Sequence, residues 1–284
     1  MTGTVDRSLN HLSPAESRLG AVFARPRTVA IVCIVALTAL GWFYLALATA
    51  GMNGVELWAA LCGPAFGTAP AAGWGGVALV ALMWGAMTLA MMLPSAAPMI
   101  FTYAEIADTA AQKREPVVSP LVLAAGYLAV WFVFAALATV AQYALARAAL
   151  LDPAMVSVSG LFSGAIFIVA GLYQFSALKH ACLKQCQSPF PFFFANWATT
   201  PRGVFRLGVR QGLYCLGCCW AMMLVMFAVG VMNVVWMAAI GIVMTVEKIG
   251  SGKRFSHVIG VLSIGAGLAF VVGAVLAHWP VRGL

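Results

Sequence analysis

The chain is 284 residues long, 63% apolar and only 8% charged, with a mean hydropathy of +0.97. Soluble domains average about 45–50% apolar and about 25% charged residues, so this chain reads as an integral membrane protein, which excludes a soluble enzyme, a nucleic-acid binder and a disordered scaffold. Its formal charge of +8, from 16 Lys and Arg against 8 Asp and Glu, then belongs to cytoplasmic loops, where basic residues collect.

Met1 to Arg27 include Asp6, Pro14 and Glu16 and lack the pattern of a cleaved signal peptide. They read as a cytoplasmic tail, and residues 28–284 as the membrane domain. With about 20 residues needed per span, seven apolar stretches follow: Thr28–Ala50, Val77–Ala107, Pro120–Arg147, Ser159–Leu178, Val209–Val229, Val231–Val246 and Phe255–Ala277. The expected fold is an all-α polytopic transmembrane bundle of seven spans, or six if the short sixth stretch does not cross. The fifth and sixth are nearly continuous, broken at Gly230 and Asn233, which favours a tight hairpin over one long helix.

Placing the N-terminus inside puts four basic clusters on the cytoplasmic face. They are Arg7, Arg18, Arg25 and Arg27; Lys113 and Arg114; Lys179, Lys184, Arg202, Arg206 and Arg210; and Lys248, Lys253 and Arg254. Only Arg147 and Arg282 fall elsewhere. A wrong span count would scramble that asymmetry, so the C-terminus is expected outside. Gly51 to Gly76 lacks Lys and Arg, as an outer loop should. The segment at 187–210 combines Pro189, Phe190, Pro191, Phe192, Phe193, Phe194 and Trp197 with arginines at four-residue spacing. That composition suits an anchor at the lipid headgroups of the inner leaflet.

No charged residue is expected near the middle of a span; Glu105, Arg147 and Glu247 sit at span ends. Ion-coupled transport usually needs intramembrane ionisable groups, so that class is disfavoured. The interior offers sulfur instead. In Tyr214-Cys215-Leu216-Gly217-Cys218-Cys219-Trp220-Ala221-Met222-Met223, continued by Met226, helical geometry puts Cys215, Cys218, Cys219, Met222 and Met226 within an arc of roughly 100°, with Met223 beside it. Cys and Met also pack well in ordinary cores, but three Cys in five positions followed by methionines on the same face favour a binding function.

A second group, His180-Ala181-Cys182-Leu183-Lys184-Gln185-Cys186, has metal-ligand spacing and falls on the same side of the membrane as Cys215. The cytoplasm keeps thiols reduced, so these cysteines suit metal thiolates better than structural disulfides. A third group is Met83, Met87, Met91 and Met92, followed by Pro94 and Pro98. Two prolines free backbone carbonyls inside the membrane, which is tolerated only where protein or a cavity satisfies them; this marks either a site or a simple kink filled by methionine. Cys33 and Cys62 carry no such context.

Thiolates and thioethers favour Cu(I), whereas zinc prefers a closed Cys/His tetrahedron. The candidate metal ligands are Cys215, Cys218, Cys219, Cys182, Cys186, His180, Met222, Met223, Met226, Met87, Met91 and Met92. Copper(I) ranks first, with zinc or an iron–sulfur cluster behind it.

Met91-Met92-Leu93-Pro94-Ser95-Ala96-Ala97-Pro98-Met99, Cys215-Leu216-Gly217-Cys218-Cys219-Trp220-Ala221-Met222-Met223, Gly230-Val231-Met232-Asn233 and Trp236-Met237 resemble a bacterial family of predicted metal-binding integral membrane proteins (domain of unknown function 2182). Lys179 to Cys186 and Glu247-Lys248 are similar to two further family segments. The resemblance covers about Val77 to Lys248. It implies a multi-pass protein of the bacterial cytoplasmic membrane with a metal site, sometimes labelled copper-chaperone-like, and no demonstrated activity.

The leading expectation is a non-enzymatic membrane protein that captures Cu(I) at the inner face and passes or transports it through weaker thioether stations. Its partners would be lipids, the metal ion and a copper-requiring membrane enzyme or copper carrier, with no nucleic acid. Two alternatives stand beside it: a thiol–disulfide relay through Cys215 and Cys218, and an accessory subunit whose sulfur only packs.

Overall fold

A computed structural model describes residues 26–50, 74–148, 160–230, 234–250 and 252–278. The tail up to residue 25, Cys62 with most of the expected outer loop, and Asn233 lie outside the described residues. Among the described residues all regular structure is helical. The helices are α1 (Pro26–Ala50), α2 (Trp74–Met87), a π-helical turn (Thr88–Met92), α3 (Leu93–Gln112), α4 (Pro120–Arg147), α5 (Gly160–Tyr173), α6 (Ala177–Gln187), α7 (Pro189–Ala195), α8 (Pro201–Val229), α9 (Val234–Ile249) and α10 (Gly252–His278).

Four helical runs are long and apolar enough to cross a membrane: Gly76–Gln112, Pro120–Leu145, Pro201–Val229 and Lys253–Leu276. A fifth results if α5 and α6, bent by 64° at their junction, form one broken span. The apolar part of α1 is the shorter Ala30–Ala46, and α9 has 16 residues. Gly230, at φ 99°, ends α8 in the left-handed region that glycine adopts without strain, so the fifth and sixth apolar stretches are two helices, as a hairpin requires.

The expected anchor at 187–210 divides. Its aromatic half forms α7, whereas Arg202, Arg206 and Arg210 occupy the exposed side of the first turns of α8. Thr200 starts that helix by accepting the Gly203 N–H at 3.2 Å, and Pro201 takes the first helical position, where no N–H is needed.

Helices without a strong aqueous driving force between them associate through small residues that let backbones approach. Gly126 of α4 lies against the Phe205 carbonyl of α8, and Gly208 of α8 against the Leu123 carbonyl of α4. The α5–α10 pair repeats the device: a Cβ on Gly164 would come within 2.8 Å of the Gly267 carbonyl, and one on Gly171 within 2.8 Å of the Gly260 carbonyl. The outer side of α10 leaves Val261, Leu262, Leu268 and Leu276 exposed, an apolar face suited to lipid.

The proline prediction takes a definite form. The helix widens into the π turn at Thr88–Met92 just before Pro94. Pro94 has no N–H to offer Ala90, and the Ala90 carbonyl instead accepts the Trp42 indole N–H at 3.1 Å. The Met92 carbonyl accepts the Ser95 hydroxyl at 2.8 Å and the Tyr127 hydroxyl at 3.1 Å.

Candidate metal centre

Helix α8 presents Leu207, Gln211, Cys215, Cys218, Cys219, Met222 and Met226 inward, all buried. Cys215 lies about 21 Å along the helix from Pro201 at 1.5 Å per residue, well inside the bundle. The sulfurs of Cys215, Cys218 and Cys219 lie within 4.8 Å of one another, and the Cys218 and Cys219 sulfurs are 3.3 Å apart. Two sulfurs each 2.3 Å from a common ion are at most about 4.6 Å apart. The trio therefore approaches the span that one metal bridges.

The second cysteine pair reaches the trio from α6. Cys182 and Cys186 are one turn apart and share the face toward α8. Cys186 shares a small cavity with Cys215 and lies within interaction range of Cys218. Gly217 makes room for Cys182: a Cβ there would come within 2.6 Å of its sulfur. His180 is on the other side of α6, about 200° around the helix from Cys182. Its ring packs at 5.5 Å from that of His257 on α10, away from the thiols.

Met222, Met223 and Met226 are buried on successive turns beyond the trio, and Met87, Met91 and Met92 are buried in and beside the π turn. Met92 meets the site through its carbonyl, which Tyr127 shares with the Cys215 sulfur at 3.0 Å. The Met91 side chain instead faces Gly241 and lines a separate hollow of about 290 Å³ with Trp42, Pro94 and Thr245. Cys33, on α1, is half-buried and outside the group.

Polar residues complete the site. Lys248 donates to Cys215 Sγ at 2.9 Å and to Ser95 Oγ at 2.7 Å. A cavity of about 20 Å³, lined by Ser95, Met99, Tyr127, Cys186, Gln211, Cys215 and Lys248, adjoins these groups. Gln211 Nε2 is buried there without a partner. Beside it, Lys179 Nζ donates to both carboxylate oxygens of Glu247, at 2.9 and 2.8 Å, and to Gln174 Oε1; Gln187 donates to the Glu247 carbonyl at 2.6 Å.

These contacts correct one sequence expectation. Lys179 and Lys248 are not loop charges: both are buried in helices, Lys179 with 0% exposure. Glu247 and Lys248 stand in the last turn of α9, the span end where they were expected, but out of water. An ammonium leaves water at this depth only against an opposite charge or strong acceptors. Lys179 has Glu247, whereas Lys248 has a hydroxyl and a thiol. The three charges sum to one positive, which a single sulfur bound as thiolate balances. What the sequence reading missed was the burial of Glu247-Lys248, which end an apolar run without any turn residue before them; Ser95 stood only inside the resembled segment Met91 to Met99, and Tyr127 carried no signal.

The profile of the PpoB2 family, described as a copper chaperone, matches residues 81–270. The chain belongs to that family, and the matched region includes all five clustered cysteines, Tyr127 and Lys248. No curated protein and no solved structure matches the chain.

Proposed function

We propose that this member of the copper chaperone family is a non-enzymatic protein of the bacterial cytoplasmic membrane that holds Cu(I) at Cys215, Cys218 and Cys219 for transfer to a copper-requiring enzyme or carrier. The observation that carries the reading is the buried trio of thiols within 4.8 Å of one another. Soft thiolates select Cu(I). Each thiol that binds gives up its proton, and the Lys248 ammonium offsets the charge left on sulfur. Resemblance to the metal-binding membrane family (domain of unknown function 2182) supports the same conclusion.

Cys182 and Cys186 are the capture ligands. Cys186 borders the small cavity with Cys215 and lies near Cys218, so copper passes from one helix to the other by replacing one sulfur at a time. Met222, Met223 and Met226, with Met87, supply weaker thioether ligands beyond the thiols; a graded series permits release, because a fully satisfied site traps its ion. Seven spans with the N-terminus inside put the capture ligands on the cytoplasmic side.

Copper content after anaerobic purification tests this. The wild type retains Cu(I), and Cys218→Ser with Cys219→Ser lowers the content at least ~tenfold. Unchanged copper in the double variant overturns the proposal. Zinc retained in place of copper would reassign the ion, and a reversible dithiol couple at Cys215 and Cys218 without bound metal would favour a thiol–disulfide relay.

A further inference from the structure

His180 belongs to the sequence motif that carries Cys182 and Cys186, yet the thiol site does not use it. Its Nε2 is buried with no hydrogen-bond partner. Native proteins rarely leave such an atom unsatisfied, and an unseen ion or water is a standing explanation. What faces the ring is a second imidazole: His257 of α10, centroid to centroid at 5.5 Å with the planes 76° apart. His257 is held from its other side by Phe175, stacked at 5.1 Å.

From these contacts we infer that His180 and His257 form a second copper(I) station, separate from the thiol trio and on the opposite side of α6. The dimensions fit. An ion about 2.0–2.1 Å from a ring nitrogen lies ~3.2 Å from that ring's centre, so rings 5.5 Å apart share one ion with the two nitrogens roughly 120° apart around it. Imidazole suits both copper and zinc, and the surrounding charge chooses between them. Lys179, Lys253 and the Glu247 carboxylate are the charged side chains acting on His180. Two ammoniums against one carboxylate disfavour a divalent ion more than a monovalent one, and an angle near 120° suits three-coordinate Cu(I), its third position taken by a small ligand such as water or chloride. Binding forms two N–Cu bonds with no change of oxidation state. The inference rests on the copper reading for the identity of the ion, not for the geometry.

The test loads the full-length protein, in detergent micelles without oxygen, with increasing Cu(I) and follows copper-edge X-ray absorption. Sulfur scattering is expected first, then a further equivalent with imidazole scattering. His257→Phe, at an exposed position, removes that equivalent and its imidazole signal while sulfur-bound copper stays; His180→Phe does the same. Absence of imidazole scattering at every loading, or its persistence in His257→Phe, overturns the inference and leaves His180 Nε2 to an ordinary water. Imidazole-bound copper without any sulfur-bound copper would instead overturn the thiol proposal and leave this one standing.

Discussion

The α4–α8 and α5–α10 pairs use the same device, glycine against a facing carbonyl, and serve different ends. At α4–α8 the close approach of Gly126 and Gly208 carries Tyr127 onto Cys215, so helix packing sets the position of a candidate ligand. At α5–α10 the equivalent contacts of Gly164 with Gly267 and Gly171 with Gly260 lie away from the thiols and bring mainly apolar side chains together, among them Phe167 stacked on Phe270 at 5.6 Å. Backbone proximity thus positions the thiol site in one pair and packs an apolar flank away from the thiols in the other.

The comparison breaks most visibly at the glycines themselves. Gly208→Ala drives a methyl group into the Leu123 carbonyl, and Gly267→Ala puts one 2.8 Å from the Gly164 carbonyl. Overpacking of this kind costs about 1–3 kcal/mol, so both variants melt at lower temperature. Only Gly208→Ala should also weaken Cu(I) binding, measured by competition with a chromophoric chelator. Equal copper affinity in the two variants would show that the α4–α8 contact does not govern the site.

Lys248→Met separates the electrostatic role from packing. The change removes a buried charge with no carboxylate partner and leaves Ser95 and Cys215 without a donor, at a cost of about 1–3 kcal/mol, so the melting temperature should fall only modestly. Copper affinity should fall ~10–100-fold, the usual effect of removing an outer-shell partner. A lower melting temperature with copper affinity unchanged would reduce Lys248 to a structural residue.

Tyr127→Phe removes the hydroxyl that joins the Met92 carbonyl to Cys215 and leaves the ring in place. One lost hydrogen bond is worth about 1 kcal/mol, read as a small drop in denaturation midpoint and a copper affinity lower by roughly fivefold. The finest distinction lies between Gly217→Ala, which crowds the flexible Cys182 side chain, and Gly265→Ala, whose added methyl meets nothing within 4 Å. The first should slow copper uptake about twofold to threefold, and the second should leave uptake and stability unchanged.

Residues with a periodic signature were legible in the sequence. Cys215, Cys218, Cys219, Met222 and Met226 follow one helix face by spacing alone, and their burial agrees with that reading. The long apolar helices were likewise visible from composition, and the carbonyls freed near Pro94 and Pro98 from backbone chemistry. What escaped was set by partners distant in the chain. Lys248 looks like a loop cation until Ser95, 153 residues away, and Cys215 appear beside its ammonium. His180 looks like a thiol-site ligand until the helical turn between it and Cys182 points it at α10. The π turn at Thr88–Met92 had no mark of its own, because Thr-Leu-Ala-Met-Met suits an ordinary helix equally well.

The bidentate grip of Lys179 on Glu247 joins α6, which holds two cysteines, to α9, which holds Lys248. Separating those helices would strand two opposite charges out of water, at a penalty of several kcal/mol. The scaffold on that side is therefore clamped: individual thiols can swivel, whereas a hinge-like opening of α6 from α9 carries that penalty.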